Sequence, residues 1–397
     1  MAASGVTAPL GFRAAAGAAG IKPGRPDLAL VVADELANAA GVFTTNLAQA
    51  APVIVSRQHL ASGRARAIVA NAGCANAGTG EPGLADARET AALVAHALGC
   101  RPEEVLVAST GVIGVRLPMP SLGAGIAELA SRLSREGGGE AARAILTTDT
   151  KAKEVAVDFR VGDKACCVGA MAKGAGMIAP NLATMLAFFT TDAAVAAPLL
   201  HQALLSAVGA SLNRITVDGD TSTNDCAVIL ASGASGAEPI TSRGPAYDVF
   251  AAALGQAALR LAEMLVRDGE GATRIAEVLV EGARSTADAE RIARTVAESP
   301  LVKTALHGGD PNWGRLLAAA GRAGAAFDVS RVSIWIGDVH VTEGGAVRDY
   351  EEKLAAAAMR EDPVRFRIRL GEGDASSWMW TSDFSRGYVD INAHYRS

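Results

Sequence analysis

Thr184 is the residue of this sequence whose surroundings point most directly to chemistry. It follows Ala183, where a segment rich in glycine and proline that begins at Lys173 passes into the apolar run 185–189. Glycine and proline mark turns, and a short apolar run predicts a buried strand, so a threonine stands where a loop enters the core. On this segment alone, the simpler interpretation is that a β-branched residue begins a strand.

The second interpretation is that the chain cleaves itself at this point. A threonine hydroxyl is a weak nucleophile without an adjacent base. If the Thr184 hydroxyl attacked the Ala183 carbonyl and water opened the resulting ester, the new α-amino group would supply that base. Its pKa of about 7.7–8.0 suits general-base catalysis near neutral pH. The small side chain at position 183 and the upstream glycines leave this carbonyl open and permit strained backbone angles.

Polar residues also follow several predicted strands. The strand 104–108 leads into a turn at 109–114 that contains Thr110 and Gly111, and such turns often bind anions, although the P-loop pattern is absent. The small-residue segment 71–78 is either a ligand-binding loop or a tight crossover. The segment 215–225 is dense in oxygen ligands but lacks the glycine position of a calcium loop, so we interpret it as a turn that supports the site.

Four sequence blocks resemble one known family. The segment 171–186, MAKGAGMIAPNLATML, is closely similar to the self-cleavage motif of the ornithine acetyltransferases, also called glutamate N-acetyltransferases or ArgJ-type enzymes. The blocks GVFTTN at 41–46, DGDTSTND at 218–225 and DPNWGR at 310–315 resemble the same family. Because the similarity also includes the opening GVTAPLGF at 5–12 and the tail YVDIN at 388–392, it runs nearly from end to end, and we treat the whole chain as a candidate member.

The resemblance implies specific roles for individual residues. Thr184 is the nucleophile and the first residue after a cut between Ala183 and Thr184. Thr110 and Gly111 form the oxyanion hole, in which one donor is typically worth about 2.7–4 kcal/mol. The implied substrate contacts are Thr147, Lys173, Thr184, Glu270, Asn392 and Ser397.

Two of these assignments compete with alternatives in the sequence. Thr148 and Thr150 lie beside Thr147, so the residues alone do not fix which threonine contacts the substrate. Glu270 lies between two glycines after a predicted helix, a pattern that favours helix-end chemistry unless the resemblance is considered. With the resemblance, Lys173 is expected to hold the substrate carboxylate and Glu270 its side-chain ammonium.

The implied reaction is a ping-pong transfer of an acetyl group from N2-acetylornithine to glutamate in arginine biosynthesis. It needs no cofactor and no metal, with acetyl-CoA as an optional second donor. The implied assembly is an alpha chain, 1–183, and a beta chain, 184–397, in a cytoplasmic heterotetramer. The alternatives are a self-cleaving aminopeptidase or amidase with the same threonine chemistry, and a non-enzymatic α/β binding protein.

Composition bounds the function classes. The 397 residues are 50% hydrophobic and 20% charged with a net charge of −5, which indicates a globular protein of two or three domains rather than a disordered or nucleic-acid-binding chain. No apolar run of transmembrane length is expected. The five cysteines lack metal-ligand spacing, so free thiols are expected.

The resemblance implies an α/β fold, a layered sandwich of mixed β-sheets and helices of the DmpA-like type. Helices are predicted at 84–98, 119–134, 194–212, 246–267 and 285–299, with Asp192 as a helix cap. Buried strands are predicted at 226–231 and 301–306. The strand 364–370 alternates, with Phe366, Ile368 and Leu370 facing inward and the arginines outward.

Overall fold

The computed structural model describes residues 3–179 and 185–394. The strands of this part of the chain, β1–β15 in order, are Phe12–Gly17, Leu28–Phe43, Arg64–Cys74, Val105–Val112, Lys153–Val161, Lys164–Lys173, Leu186–Thr191, Ile215–Thr216, Cys226–Ala231, Ile275–Ala283, Ser333–Ile336, Val339–Glu343, Ala346–Val347, Val364–Arg369 and Ala375–Ser382. The α-helices, α1–α11 in order, are Ala51–His59, Gly80–Leu98, Met119–Ser131, Gly138–Ala144, Ala197–Ala210, Pro245–Arg267, Thr286–Ala297, Pro300–Gly308, Trp313–Gly321, Glu352–Ala358 and Arg386–His394.

The chain forms two compact units, and their limits do not coincide with the predicted cleavage point. Among the described residues, the first unit contains 3–179, 185–213 and 220–265, and the second contains 214–219 and 266–394. Each unit has its own sheet. The division into fragments 1–183 and 184–397 is a covalent division and stays a prediction.

The first unit is built on an eight-stranded mixed sheet in the order β4-β3-β2-β9-β7-β6-β5, with β1 also paired to β2. The pairs β3–β4 and β7–β9 are parallel and the other pairs are antiparallel. Alternate residues of β2 enter different cores. Leu28 and Leu30 pack with residues of α2 and α3, whereas Ala29 and Val31 pack with residues of α4. Because side chains alternate along a strand, both faces of this sheet are covered.

The second unit has a seven-stranded mixed sheet in the order β13-β12-β11-β14-β10-β15-β8. Val278, Val280, Phe366, Ile368 and Met379 lie in its core together with residues of α7 and α8. The predicted alternation of β14 is confirmed, since Phe366 and Ile368 are buried while Arg365 and Arg369 are exposed. The two mixed sheets with their helices confirm the predicted α/β class.

Several element predictions need correction. The predicted strand 301–306 is the helix α8, in which Val302 and Leu306 are buried four residues apart on one face. Pro300 at its first turn and the left-handed Gly309 after its end are typical helix boundaries, and their signal outweighs the apolar run. Asp192 does not cap α5. Its carboxylate is buried and accepts hydrogen bonds from the amides of Leu10 at 3.0 Å and Cys167 at 2.8 Å.

Helix α6 is an exception to the expectation that no apolar stretch reaches transmembrane length. Among the described helices, it is the one long and apolar enough to cross a membrane, and 50% of its most apolar window is buried. Phe250, Leu254 and Leu261 on this helix are fully buried. This pattern is that of a core helix in a globular unit, which passes the same test of length and composition.

Candidate active site

Three of the predicted site residues lie outside the described part of the chain. They are Ala183, Thr184 and Ser397. Their roles therefore stay predictions, and the site is described from the remaining residues.

Thr110 and Gly111 lie within β4 rather than in the turn that the sequence predicts. Gly111 has φ +127° and pairs with Gly73 of β3. A Cβ atom at position 111 would overlap the Gly73 backbone. Only glycine permits this approach, so the strand continues past Ser109 and places the Thr110 side chain and the Gly111 amide at fixed positions.

Lys173, at the end of β6, brings two predicted threonines together. Its Nζ donates hydrogen bonds to Thr147 Oγ1 at 2.8 Å and to Thr110 Oγ1 at 3.1 Å. The lysine is 7% exposed. Of the three neighbouring threonines that the sequence offered, Thr147 is the one for which a contact with Lys173 is described.

The Lys173 ammonium makes the oxygen atoms of both hydroxyls hydrogen-bond acceptors. A threonine hydroxyl carries one proton and accepts through its oxygen. Since the Lys173 ammonium occupies an acceptor position on Thr110, the Thr110 proton remains available for an oxygen atom of a ligand. An ammonium that polarises a hydroxyl strengthens the bond that the hydroxyl then donates. This geometry suits the predicted oxyanion role of Thr110.

Asp149 is the principal residue of this cluster that the sequence interpretation did not identify. Its carboxylate lies 2.7 Å from Lys153 Nζ and 4.0 Å from Lys173 Nζ. It also accepts hydrogen bonds from the amides of Gly174 at 2.6 Å and Thr147 at 3.1 Å. Burial raises the pKa of this carboxyl, but the two lysines and these hydrogen bonds outweigh burial and lower the pKa to about 2. Asp149 therefore orients both Thr147 and the loop after Lys173.

The described residues after Lys173, 174–179, include unusual backbone angles, as the glycine content suggested. Gly174 has φ +156° and Met177 has φ +55°. A side chain of the size of methionine rarely adopts the left-handed region, and such conformations persist only when surrounding contacts hold them. Ile178 forms an isolated bridge to Thr221, and the Thr221 hydroxyl donates to the Ala179 carbonyl at 3.0 Å.

The oxygen-dense turn predicted to support the site does contact it. Asn224 Nδ2 donates to the Ala75 carbonyl at 2.6 Å and to the Ser109 carbonyl at 2.9 Å. Ser109 directly precedes Thr110, so Asn224 ties the turn to the ends of β3 and β4. A buried amide with two backbone acceptors is a positioning element.

Asp225, the next residue, is a buried acid of a different kind. Its carboxyl is 2% exposed, and its Oδ2 has no hydrogen-bond partner among the described residues. Burial raises its pKa well above the usual range, although Ser222 and the Lys173 charge oppose the shift. The following amide, that of Cys226, donates to the Met185 carbonyl at 2.9 Å. A buried carboxyl with a raised pKa thus lies beside the start of β7, two residues after the predicted nucleophile.

In the second unit, Glu270 and Asn392 form a pair. Asn392 Nδ2 donates to Glu270 Oε2 at 2.7 Å and to the Tyr388 carbonyl at 3.0 Å. Glu270 is 7% exposed. Gly271 has φ +67°, and a Cβ there would overlap the Tyr388 backbone, so the glycine permits α11 to approach Glu270. Glu270 thus accepts a hydrogen bond from Asn392 of α11, which lies 122 positions further along the chain. A role in capping the end of α6 would not require this contact.

The described residues define an α/β protein in which the buried Lys173 ammonium donates hydrogen bonds to the hydroxyls of Thr110 and Thr147. Thr110 lies on β4, which pairs with β3 through Gly73 and Gly111. The chain belongs to the ArgJ family, whose family model matches residues 13–397. This match confirms the family that the sequence blocks predicted.

Individual relatives agree over the whole chain. The arginine biosynthesis bifunctional protein ArgJ of Symbiobacterium thermophilum is 50% identical over 398 aligned residues, which cover 100% of this chain and 99% of that protein. The protein of the same name from a Synechococcus species is 47% identical, covering 98% of this chain and 97% of that one. The crystal structure of the arginine biosynthesis bifunctional protein argJ from Bacillus halodurans is 40% identical with a TM-score of 0.52, and its chain, matched over 100% of its length, covers 53% of this one.

Proposed function

We propose that this protein transfers an acetyl group from N2-acetylornithine to glutamate in arginine biosynthesis, through an acetyl ester on Thr184. The juxtaposition of Thr110 and Thr147 on the Lys173 ammonium carries the proposal. These are residues to which the family resemblance gives roles in one site, and they are separated by up to 63 positions in sequence. Relatives named as bifunctional arginine biosynthesis proteins support the same activity.

The nucleophile in this proposal is produced by the chain itself. The Thr184 hydroxyl attacks the Ala183 carbonyl, and water opens the ester to free the Thr184 amine. The relative of known crystal structure supports such processing, since its chain, matched in full, covers only 53% of this one. The predicted fragment 184–397 also makes up slightly more than half of the chain.

The acetyl transfer then proceeds in two steps. The Thr184 amine takes the hydroxyl proton while the oxygen attacks the acetyl carbonyl, and the Thr110 hydroxyl and the Gly111 amide stabilise the oxyanion. The C–N bond breaks, ornithine leaves with the proton, and the acetyl ester remains. In the second step the glutamate amine attacks the ester, the C–O bond breaks, and the Thr184 hydroxyl regains its proton.

Substrate binding in the proposal uses opposite charges. The Lys173 ammonium binds the substrate carboxylate, with Thr147 alongside it. The Glu270 carboxylate, held by Asn392, binds the ornithine ammonium, and Ser397 keeps the contact that the family resemblance implies. Because charge-assisted hydrogen bonds are about twice as strong as neutral ones, each of these pairs favours a substrate that carries the matching charge.

Acetyl-CoA is a second acetyl donor in the proposal, because the relatives are named bifunctional. No other cofactor takes part. The two fragments remain associated and assemble as a heterotetramer of two alpha and two beta chains in the cytoplasm. Native mass spectrometry measures this assembly directly.

The decisive experiment is the intact mass of the purified protein and of two variants. We expect wild type to give fragments 1–183 and 184–397, and Thr184→Ala to remain full length and inactive. Thr184→Ser is the matched control, since it keeps a hydroxyl at the same position and should still be processed. Incubation of wild type with N2-acetylornithine should then add one acetyl group to fragment 184–397.

Two results would contradict this proposal. Processing of Thr184→Ala at the same bond would remove Thr184 from the cleavage. Release of acetate at the same rate with and without glutamate would favour the self-cleaving amidase over the transferase.

A further inference from the structure

Lys22 is a second ammonium beside the Lys173 cluster, and neither the motifs nor the family resemblance drew attention to it. It lies on the loop between β1 and β2. Its Nζ donates hydrogen bonds to the Leu146 carbonyl at 2.8 Å and to the Ala144 carbonyl at 3.2 Å. Leu146 directly precedes Thr147, the residue that accepts from Lys173. The two ammonium groups are therefore held by consecutive residues.

The position of Lys22 is fixed by a buried carboxylate. Asp27 is fully buried and accepts hydrogen bonds from the amides of Ala19 at 2.5 Å, Ile21 at 2.6 Å and Lys22 at 2.8 Å. A carboxylate that accepts three backbone amides rigidifies the loop that contains them. The base of the Lys22 side chain is thus held independently of any ligand.

The Lys22 stem also lies against the strands that carry the predicted oxyanion hole. A Cβ atom at Gly73 would be 2.8 Å from Lys22 Cγ, and Gly73 is the strand partner of Gly111. Because Gly73 has no side chain, the Lys22 side chain can pack against β3 at this position. Lys22 consequently shares a glycine-lined surface with the Gly111 amide.

The charges described around this surface are those of three ammonium groups and two carboxylates. The ammonium groups are those of Lys22, Lys153 and Lys173, and the carboxylates are those of Asp27 and Asp149. Lys153 is the closest ion-pair partner of Asp149, at 2.7 Å against 4.0 Å for Lys173. Burial, Arg25 and Lys173 all lower the pKa of Lys22, whereas Asp27 and Asp149 raise it. The Lys22 charge is thus sensitive to the charge of Lys173.

We propose that Lys22 determines acceptor specificity by binding the second carboxylate of glutamate, while Lys173 binds the first. This inference rests on the proposed function. Acetylornithine brings one carboxylate to the site, and glutamate brings two. Of the three N–H donors of the Lys22 ammonium, the Ala144 and Leu146 carbonyls use two, which leaves one for a ligand oxygen. The neighbouring ammonium groups of Lys22 and Lys173 match the two carboxylates of a dicarboxylate acceptor.

A purely structural role for Lys22 is the competing explanation. Ala144 ends α4, and a lysine that binds the last carbonyls of a helix stabilises it. A structural role predicts equal losses with every substrate. A specificity role predicts a loss that depends on the charge of the acceptor side chain.

The test compares glutamate with glutamine as acceptors for the acetyl-enzyme of Lys22→Met. Glutamine has the same shape and lacks the second negative charge. We expect the wild-type preference for glutamate over glutamine in kcat/KM to fall by about 10-fold or more in Lys22→Met, the effect typical of one lost hydrogen bond between charged groups. The loss should be in the KM for glutamate rather than in kcat. Because the preference is a ratio within one protein, it is independent of the fraction that is folded.

Two further variants complete the design. Lys22→Arg keeps the cation and should keep most of the preference for glutamate. Arg25→Met removes an exposed cation three residues away and should leave the preference as in wild type. An unchanged preference in Lys22→Met, or an equal loss with both acceptors, would overturn the inference. A wild-type protein that forms no acetyl-enzyme from N2-acetylornithine would instead refute the proposed function.

Discussion

Asp149 and Asp225 are both buried carboxyl groups of the first unit, and their pKa values shift in opposite directions. Burial raises both pKa values, yet that of Asp149 falls to about 2 and that of Asp225 rises well above its usual range. Asp149 has an ammonium at 2.7 Å and two backbone amide donors, whereas Asp225 has hydrogen bonds from Ser222 and no partner for Oδ2 among the described residues. Lys173 acts electrostatically on both groups. The contrast shows that adjacent charges and donors, not depth alone, set the direction in which the pKa of a buried acid shifts.

The difference assigns distinct roles to the two acids. The ionised Asp149 organises the cations of the site and holds Thr147 and Gly174 in place. The raised pKa of Asp225 favours its protonated form, and only a protonated carboxyl can donate a hydrogen bond.

Removing the charge of Asp149 should have the largest effect. In Asp149→Asn, the buried Lys153 ammonium loses its ion pair, and breaking a buried pair typically costs about 3–5 kcal/mol. We expect a loss of that size in the free energy of unfolding, measured by urea denaturation at pH 7, together with loss of acetyl transfer. Asp163→Asn, in the exposed turn between β5 and β6, is the matched control and should unfold like wild type. A change below about 1 kcal/mol in Asp149→Asn would show that the ion pair adds little to stability.

Lowering the pH should protonate Asp149 in the wild-type protein. The resulting loss in the free energy of unfolding should be smaller than that caused by Asp149→Asn. A carboxyl whose folded pKa is about 2 and whose usual value is 3.8 adds stability that is complete above pH 5 and lost as the pH falls toward 2. The expected contribution is about 2 kcal/mol. Urea unfolding from pH 5 to pH 2 should therefore show a loss that is about 2 kcal/mol larger for wild type than for Asp149→Asn. Parallel curves for the two proteins would mean that Asp149 is not ionised in the folded state at pH 5.

Asp225→Asn should have the smallest effect, near pH 3, and the opposite pH dependence. A carboxyl with a raised folded pKa destabilises the fold as the pH rises above its unfolded pKa of about 3.9, because only the unfolded chain readily releases the proton. Asparagine is neutral at every pH, so the variant should match wild type most closely near pH 3 and gain relative stability as the pH rises toward 8. Asp220→Asn, an exposed acid of the same turn, provides the control. A constant loss of several kcal/mol in Asp225→Asn would indicate an ionised, paired Asp225 instead.

Local patterns in the sequence predicted much of the fold. The long helix α6, the buried strand β9 and the alternating strand β14 were all found, because each depends on the periodicity of its own residues. The segment 301–306 was missed because an apolar run of six residues fits a strand as well as one face of a helix. Pro300 and Gly309 at its two ends are the residues that indicate a helix.

By itself, the sequence determined the family, through motifs that a reader can match block by block, and it named Thr110, Thr147 and Lys173 as parts of one site. Only the tertiary structure decided that Lys173 binds both hydroxyls, that the pKa of Asp149 is lowered while that of Asp225 is raised, and that Lys22 lies beside them. The physical reason is that these properties depend on partners distant along the chain, such as the Leu146 carbonyl 124 residues from Lys22. A pKa or an ion pair is a property of a place in the fold, and no local pattern of residues encodes it.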